Sequence, residues 1–78
     1  MAINEVTFEI HKHFGVINKY DNGWTKECNF VSWNDGEPKF DIRDWDVSHE
    51  RMSRGITLYE DDAKSLYEIL KSVFESEK

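Results

Sequence analysis

The stretch Lys39-Phe40-Asp41-Ile42-Arg43-Asp44-Trp45 alternates between two kinds of side chain. Successive side chains of a strand point to opposite faces, so Phe40 and Ile42 project one way and Lys39, Asp41, Arg43 and Trp45 the other. Such a segment predicts a half-buried strand with one face toward a core and one toward water. Immediately upstream, Asn34-Asp35-Gly36-Glu37-Pro38 is a turn cluster without propensity for a sheet interior.

Before that turn, the run Trp24 to Trp33 (WTKECNFVSW) reads as another strand. Asp21-Asn22-Gly23 precedes it with residues that tolerate positive φ, a hairpin signal. Thr7 to Lys19 mixes β-branched and aromatic residues with polar ones and predicts the first strand, interrupted at Gly15 as by a bulge. Downstream, the polar segment Asp46 to Ser53 lacks any period and reads as an exposed loop, followed by a short fourth strand, Arg54 to Leu58. From Glu60 to Lys78 the residues Ala63, Leu66, Tyr67, Leu70, Val73 and Phe74 recur at helical spacing, with Ile69 widening the stripe. Asp61 and Asp62 fall in the first turn, where the helix dipole favours carboxylates. The expectation is one α+β domain over residues 1–78: a four-stranded antiparallel sheet, then one C-terminal helix that covers one sheet face and leaves the other open.

A chain of 78 residues has room for one small core. The single cysteine, Cys28, cannot form an internal disulfide, which raises the expectation of a dimer. That lone cysteine, the absence of an apolar run near membrane-spanning length and the absence of a secretory signal in MAINEVTFEI suggest a cytoplasmic protein with no membrane partner. The formal net charge of −6 argues at first sight against nucleic acid. Half of it resides in the tail from Glu60 to Lys78, with six acids and three bases, so bases can still cluster on the sheet.

Aromatic rings interleaved with bases on an open sheet suit single-stranded nucleic acid, because bases stack on rings while cations follow phosphates. By alternation, one face of the second strand shows Trp24, Lys26, Cys28, Phe30, Ser32 and Asn34, and the wet face of the third shows Lys39, Arg43 and Trp45. These, Cys28 apart, are the expected contacts, with Asp41 orienting Lys39 or Arg43 through an ion pair and Val31 and Trp33 in the core. Ordinary core and cross-strand packing would use the same aromatics.

His11 and His13 share a strand face and, with Cys28 or His49, would make a zinc site only if the fold united them; no ligand spacing joins the four. Asp44 with Asp46, and Glu60 to Asp62, are explained by acidic turns and a helix start. No phosphate-cradling loop or nucleophile motif is present, so no enzyme, cofactor, metal or small-molecule substrate is expected. Leu66, Leu70, Val73 and Phe74 are the residues expected to meet a second copy in a symmetric helix-mediated dimer.

The run Phe30 to Leu58 resembles the C-terminal domain of transcriptional positive cofactor 4, especially its small bacterial YdbC-type relatives. Phe40-Asp41-Ile42-Arg43-Asp44 matches the family's hydrophobic-Asp-Ile-Arg-acid strand, and Gly55-Ile56-Thr57-Leu58 its basic-Gly-Ile-Ser/Thr-Leu strand. The resemblance implies a curved sheet and helix, a homodimer paired through the helices, and single-stranded DNA across the sheets. Family contacts then fall on Phe30, Ser32, Asn34, Lys39, Arg43, Trp45 and Arg54. Three departures stand out. Asn34 replaces a base of many eukaryotic members, Tyr59 replaces the usual helix cap, and the serine- and lysine-rich arm of the eukaryotic coactivators has no counterpart.

The leading expectation is therefore sequence-tolerant single-stranded DNA binding by a homodimer in transcription regulation, replication or repair. The alternatives are an RNA-binding role, a protein-interaction module using the acidic helix, and a histidine-built metal hydrolase.

Overall fold

A computed structural model describes residues 7–76. It contains β1 (Phe8–Lys19), β2 (Thr25–Trp33), β3 (Lys39–Trp45), β4 (Ile56–Leu58) and α1 (Glu60–Ser76), with the strands in the sheet order β1-β2-β3-β4, every neighbouring pair antiparallel. The predicted α+β order is present; Glu77 and Lys78, included in the expected helix, lie outside the described residues. The register between β1 and β2 shifts between His13 and Gly15, as the glycine predicts, and also at Ile10/Lys12 and Val16/Asn18.

Turn chemistry fixes the register. Gly23 has φ 96° and donates its amide to the Tyr20 carbonyl at 3.0 Å. Asn34 (φ 52°) and Asp35 (φ 64°) both occupy the left-handed region that Asn and Asp tolerate, and Gly36 N–H closes the turn onto the Trp33 carbonyl at 2.9 Å. That turn sets Lys26 opposite Asp44, Cys28 opposite Ile42 and Phe30 opposite Phe40.

Residues directly opposite in an antiparallel pair share a face. One face, here the phenylalanine face, carries Lys26, Cys28 and Phe30 with Phe40, Ile42, Asp44, Ile56 and Leu58. Phe14 joins it, 6.0 Å from Phe30 and 5.5 Å from Phe40 between ring centroids. The tryptophan face carries Glu27, Asn29, Val31 and Trp33 with Asp41, Arg43, Trp45 and Thr57, and with Phe8, Ile10 and His13 from β1.

Two expectations are corrected here. The face of β3 expected to be wet holds the fully buried Asp41 and Trp45, whereas Phe40 and Ile42 are only half-buried. Phe8 packs on the Trp45 ring at 5.1 Å and His49 stacks over it at 5.6 Å, which is why the indole is closed off. The helix, in turn, does not lie over the sheet: it touches only β3 and β4, none of its described residues is buried, and the molecule extends 56 Å along its long axis. Leu66, Leu70, Val73 and Phe74 are between 37% and 70% exposed.

Tyr59 caps α1 by an inverted route. Its carbonyl accepts the Ala63 amide at 2.9 Å, and the Asp62 carboxylate reaches back to accept the Tyr59 amide at 3.3 Å, half of a capping box without the hydroxyl. The loop expected to lack structure is organised by Asp46, whose Oδ1 accepts the amides of Glu50 and Arg51 at 3.0 and 3.1 Å. A bridge between Trp45 and Met52 closes it.

Candidate nucleic-acid interface

Asp41 is the hub of the tryptophan face. Its carboxylate accepts Arg43 Nε at 2.6 Å and Nη2 at 3.0 Å, Thr57 Oγ1 at 2.9 Å and Trp33 Nε1 at 3.2 Å. A buried carboxylate with four donors is satisfied, and it fixes the planar guanidinium in one plane. Arg43 also donates to the Ser53 carbonyl at 3.1 Å, and its Cζ lies 4.6 Å from the Trp33 ring centroid. The pair lies in a groove lined by Trp33, Arg43, Met52, Ser53, Arg54 and Thr57.

Gly55 makes this approach possible: a Cβ there would collide with the Arg43 Cβ and the Ile42 carbonyl. The basic-Gly-Ile-Thr-Leu motif thus reads physically. The glycine lets the chain pass against β3, Thr57 reaches Asp41, and Arg54 is left exposed beside Arg43.

The expected contacts do not form one surface. Lys26, Phe30 and Cys28 lie on the phenylalanine face, away from Arg43, because the register pairs even-numbered β2 residues with Phe40 and Ile42. Lys26 Nζ is held by Asp44 at 3.1 Å, which raises its pKa above the ordinary value. Burial likewise pushes the Cys28 thiol up. Ser32 is buried and donates to the Gly36 carbonyl at 2.6 Å. Asn34 is exposed in the turn and accepts the Thr7 amide at 3.0 Å, while Trp24 is half-buried beside the first turn. Lys39 Nζ sits 5.4 Å over the Tyr59 ring. Trp45 is enclosed and offers no ring to a ligand. Of the set, Arg43 and Arg54 come together in the groove.

Trp33, Met52, Ser53 and Thr57 line the groove without having been assigned to binding, and Asp41 holds Trp33, Arg43 and Thr57 from beneath it. Trp33 shares its parity with Glu27, Asn29 and Val31, which are buried, while Trp33 itself is only half-buried at the end of β2. Farther along the same face, Glu27 is buried and accepts Thr25 Oγ1 at 2.6 Å, Asn29 Nδ2 at 3.1 Å and His49 Nε2 at 2.9 Å. Burial pushes its carboxyl up, but these hydrogen bonds outweigh that effect and hold it below the ordinary value. Cys28 and His11 do not join His13 and His49 in a cluster, and no group of metal-binding side chains assembles among the described residues. No helix among them is long and apolar enough to cross a membrane.

Comparison with known proteins agrees with this geometry. The chain is similar to an uncharacterized protein of Treponema pallidum (strain Nichols), 32% identical over 66 residues that cover 85% of this chain and 78% of the relative. The family model described as Transcriptional Coactivator p15 (PC4) matches residues 20–69, which span the groove, its Arg43 and Gly55 motifs and most of the helix. The chain belongs to the PC4 family, a non-enzymatic family of nucleic-acid-binding proteins.

Proposed function

We propose that this chain, over residues 1–78, is one sequence-tolerant single-stranded DNA-binding domain that works as a homodimer in the cytoplasm, in transcription regulation, replication or repair. The observation that carries the reading is the Trp33–Arg43 stack pinned by Asp41 in an open groove. A preset aromatic platform takes any base, since every base has a π-face, and Arg54 beside it supplies a cation for the backbone. Membership of the PC4 family supports DNA as the ligand.

The dimer reading rests on uncovered apolar surface. Leu66, Ile69, Leu70, Val73 and Phe74 are exposed on α1, and Phe14 and Ile56 on the phenylalanine face, while Val31 and Trp45 are the only fully buried apolar side chains among the described residues. A chain this small gains stability by burying such a stripe against a second copy. The tryptophan faces then remain open for the strand.

The test is fluorescence anisotropy of a labelled oligo-dT of about twenty nucleotides against duplex and oligo-U of equal length. The reading predicts tighter binding to oligo-dT than to duplex, weakening with salt. Equal or tighter binding to oligo-U would move the assignment to RNA, and no binding even at low salt would leave the helix stripe as a protein-docking surface.

A further inference from the structure

Beside the groove, on the same face, two imidazoles flank one buried carboxylate. His49 Nε2 lies 2.9 and 3.1 Å from the Glu27 oxygens, and His13 Nδ1 lies 3.6 Å from Oε1 and 2.7 Å from Asn29 Oδ1. The Glu27 side chain is 4% exposed, whereas those of His13 and His49 are 52% and 42% exposed. Negative charge is thus sequestered beneath two rings that reach solvent. The hollow they line is completed by Ile10 and Asn29.

Arg43 and Asp46 are engaged elsewhere, and Glu50 and Arg51 follow His49 in the loop with exposed side chains. From β3, Arg43 stands opposite Glu27 in the register but is committed to Asp41. From the loop, Asp46 directs its carboxylate to the amides of Glu50 and Arg51. His49 is held at φ 63°, stacked on Trp45, so its position is fixed by packing. The net charge of the cluster is therefore set by its two imidazoles, and histidine is the side chain that titrates near neutral pH.

We propose that His13 and His49 form a proton-gated phosphate subsite that continues the Trp33–Arg43 groove, so that affinity for single strands rises as pH falls through the histidine range. With both rings neutral the cluster carries the Glu27 charge and repels a phosphate; one proton cancels that charge, and a second makes the patch cationic. The inference rests on the tryptophan face being the strand-binding face.

Oligo-dT is the probe, since thymine has no group titrating near neutrality. At constant ionic strength the unmodified protein should bind it about five-fold tighter near pH 6 than near pH 8, the size of one surface charge contact. The double variant His13→Gln/His49→Gln should lose that difference and match the unmodified protein near pH 8, while His11→Gln should keep it. Independently of any variant, NMR titration of the imidazoles should show the His13 and His49 midpoints rising when oligo-dT is bound, with His11 unmoved. Binding that is flat with pH, or imidazole midpoints indifferent to DNA, would overturn the subsite while leaving the groove intact. Absence of oligo-dT binding at both pH values would instead overturn the underlying assignment.

Discussion

The Arg43 guanidinium lies 4.6 Å from the centroid of the Trp33 ring, and one buried carboxylate, that of Asp41, holds both partners. Arg43 is ion-paired and lies over one face of the Trp33 ring, so it is not a free cation. Trp33→Ala should therefore weaken oligo-dT binding by about 1–3 kcal/mol, the worth of one stacked base. Asp41→Asn should lower folding stability by about 3 kcal/mol, since it leaves a guanidinium that is only 13% exposed without its counterion. Urea unfolding and anisotropy on the same variants separate the two effects.

Trp45 makes the opposite prediction. The ring is fully buried between Phe8 and His49, and its indole N–H has no acceptor among the described residues. Trp45→Ala should cost about 3–5 kcal/mol of stability through the cavity it opens. Trp45→Phe should cost clearly less, because it keeps most of the ring and removes an unpaired polar group. Thermal unfolding of both variants checks the order; equal losses would place the indole N–H in a hydrogen bond.

The two sheet faces should separate under mutation. Lys26 is tied to Asp44 on the face away from the groove, so Lys26→Ala should leave oligo-dT affinity within about two-fold, whereas Arg54→Ala should lower it and flatten its salt dependence by about one phosphate contact. Leu70→Asp, on the exposed stripe of α1, should shift sedimentation from dimer toward monomer without changing the far-ultraviolet helical signal of α1.

Acid stability follows from two carboxyls. Burial raises Glu27, but the hydrogen bonds from Thr25, Asn29 and His49 prevail, and the Arg51 amide leads the contacts that lower Asp46. Both folded values lie below the unfolded ones, so their contribution is complete above the ordinary carboxylate range and is lost as pH falls through the folded values. The urea midpoint should drop on acidification, and Asp46→Asn should drop less, with its loop already loosened at neutral pH.

Much of the fold was legible because its signals are local. The alternation in Lys39 to Trp45, the Asp21-Asn22-Gly23 turn, the bulge at Gly15 and the stripe of α1 each depend on neighbouring residues alone. The site was less legible because it depends on register. Alternation says that Phe30 and Trp33 face opposite ways; which of them shares a face with Arg43 is decided by the turn at Asn34 and Asp35. Trp45 misled for a related reason: it has the parity of a wet residue, but Phe8 from β1 and His49 from the loop close over it. Arg43 was picked out by its alternation in β3 and Arg54 by the family resemblance, and Gly55 admits the close passage of the chain that brings the two to one groove.

The central claim is that the tryptophan face receives the strand. The most direct measurement is NMR chemical-shift mapping of the unmodified protein titrated with oligo-dT. The account predicts the largest changes at the Trp33 indole, Arg43, Arg54 and Thr57, with Lys26, Phe30 and Phe40 little changed. Changes concentrated on the phenylalanine face or along α1, with Trp33 unmoved, would contradict it.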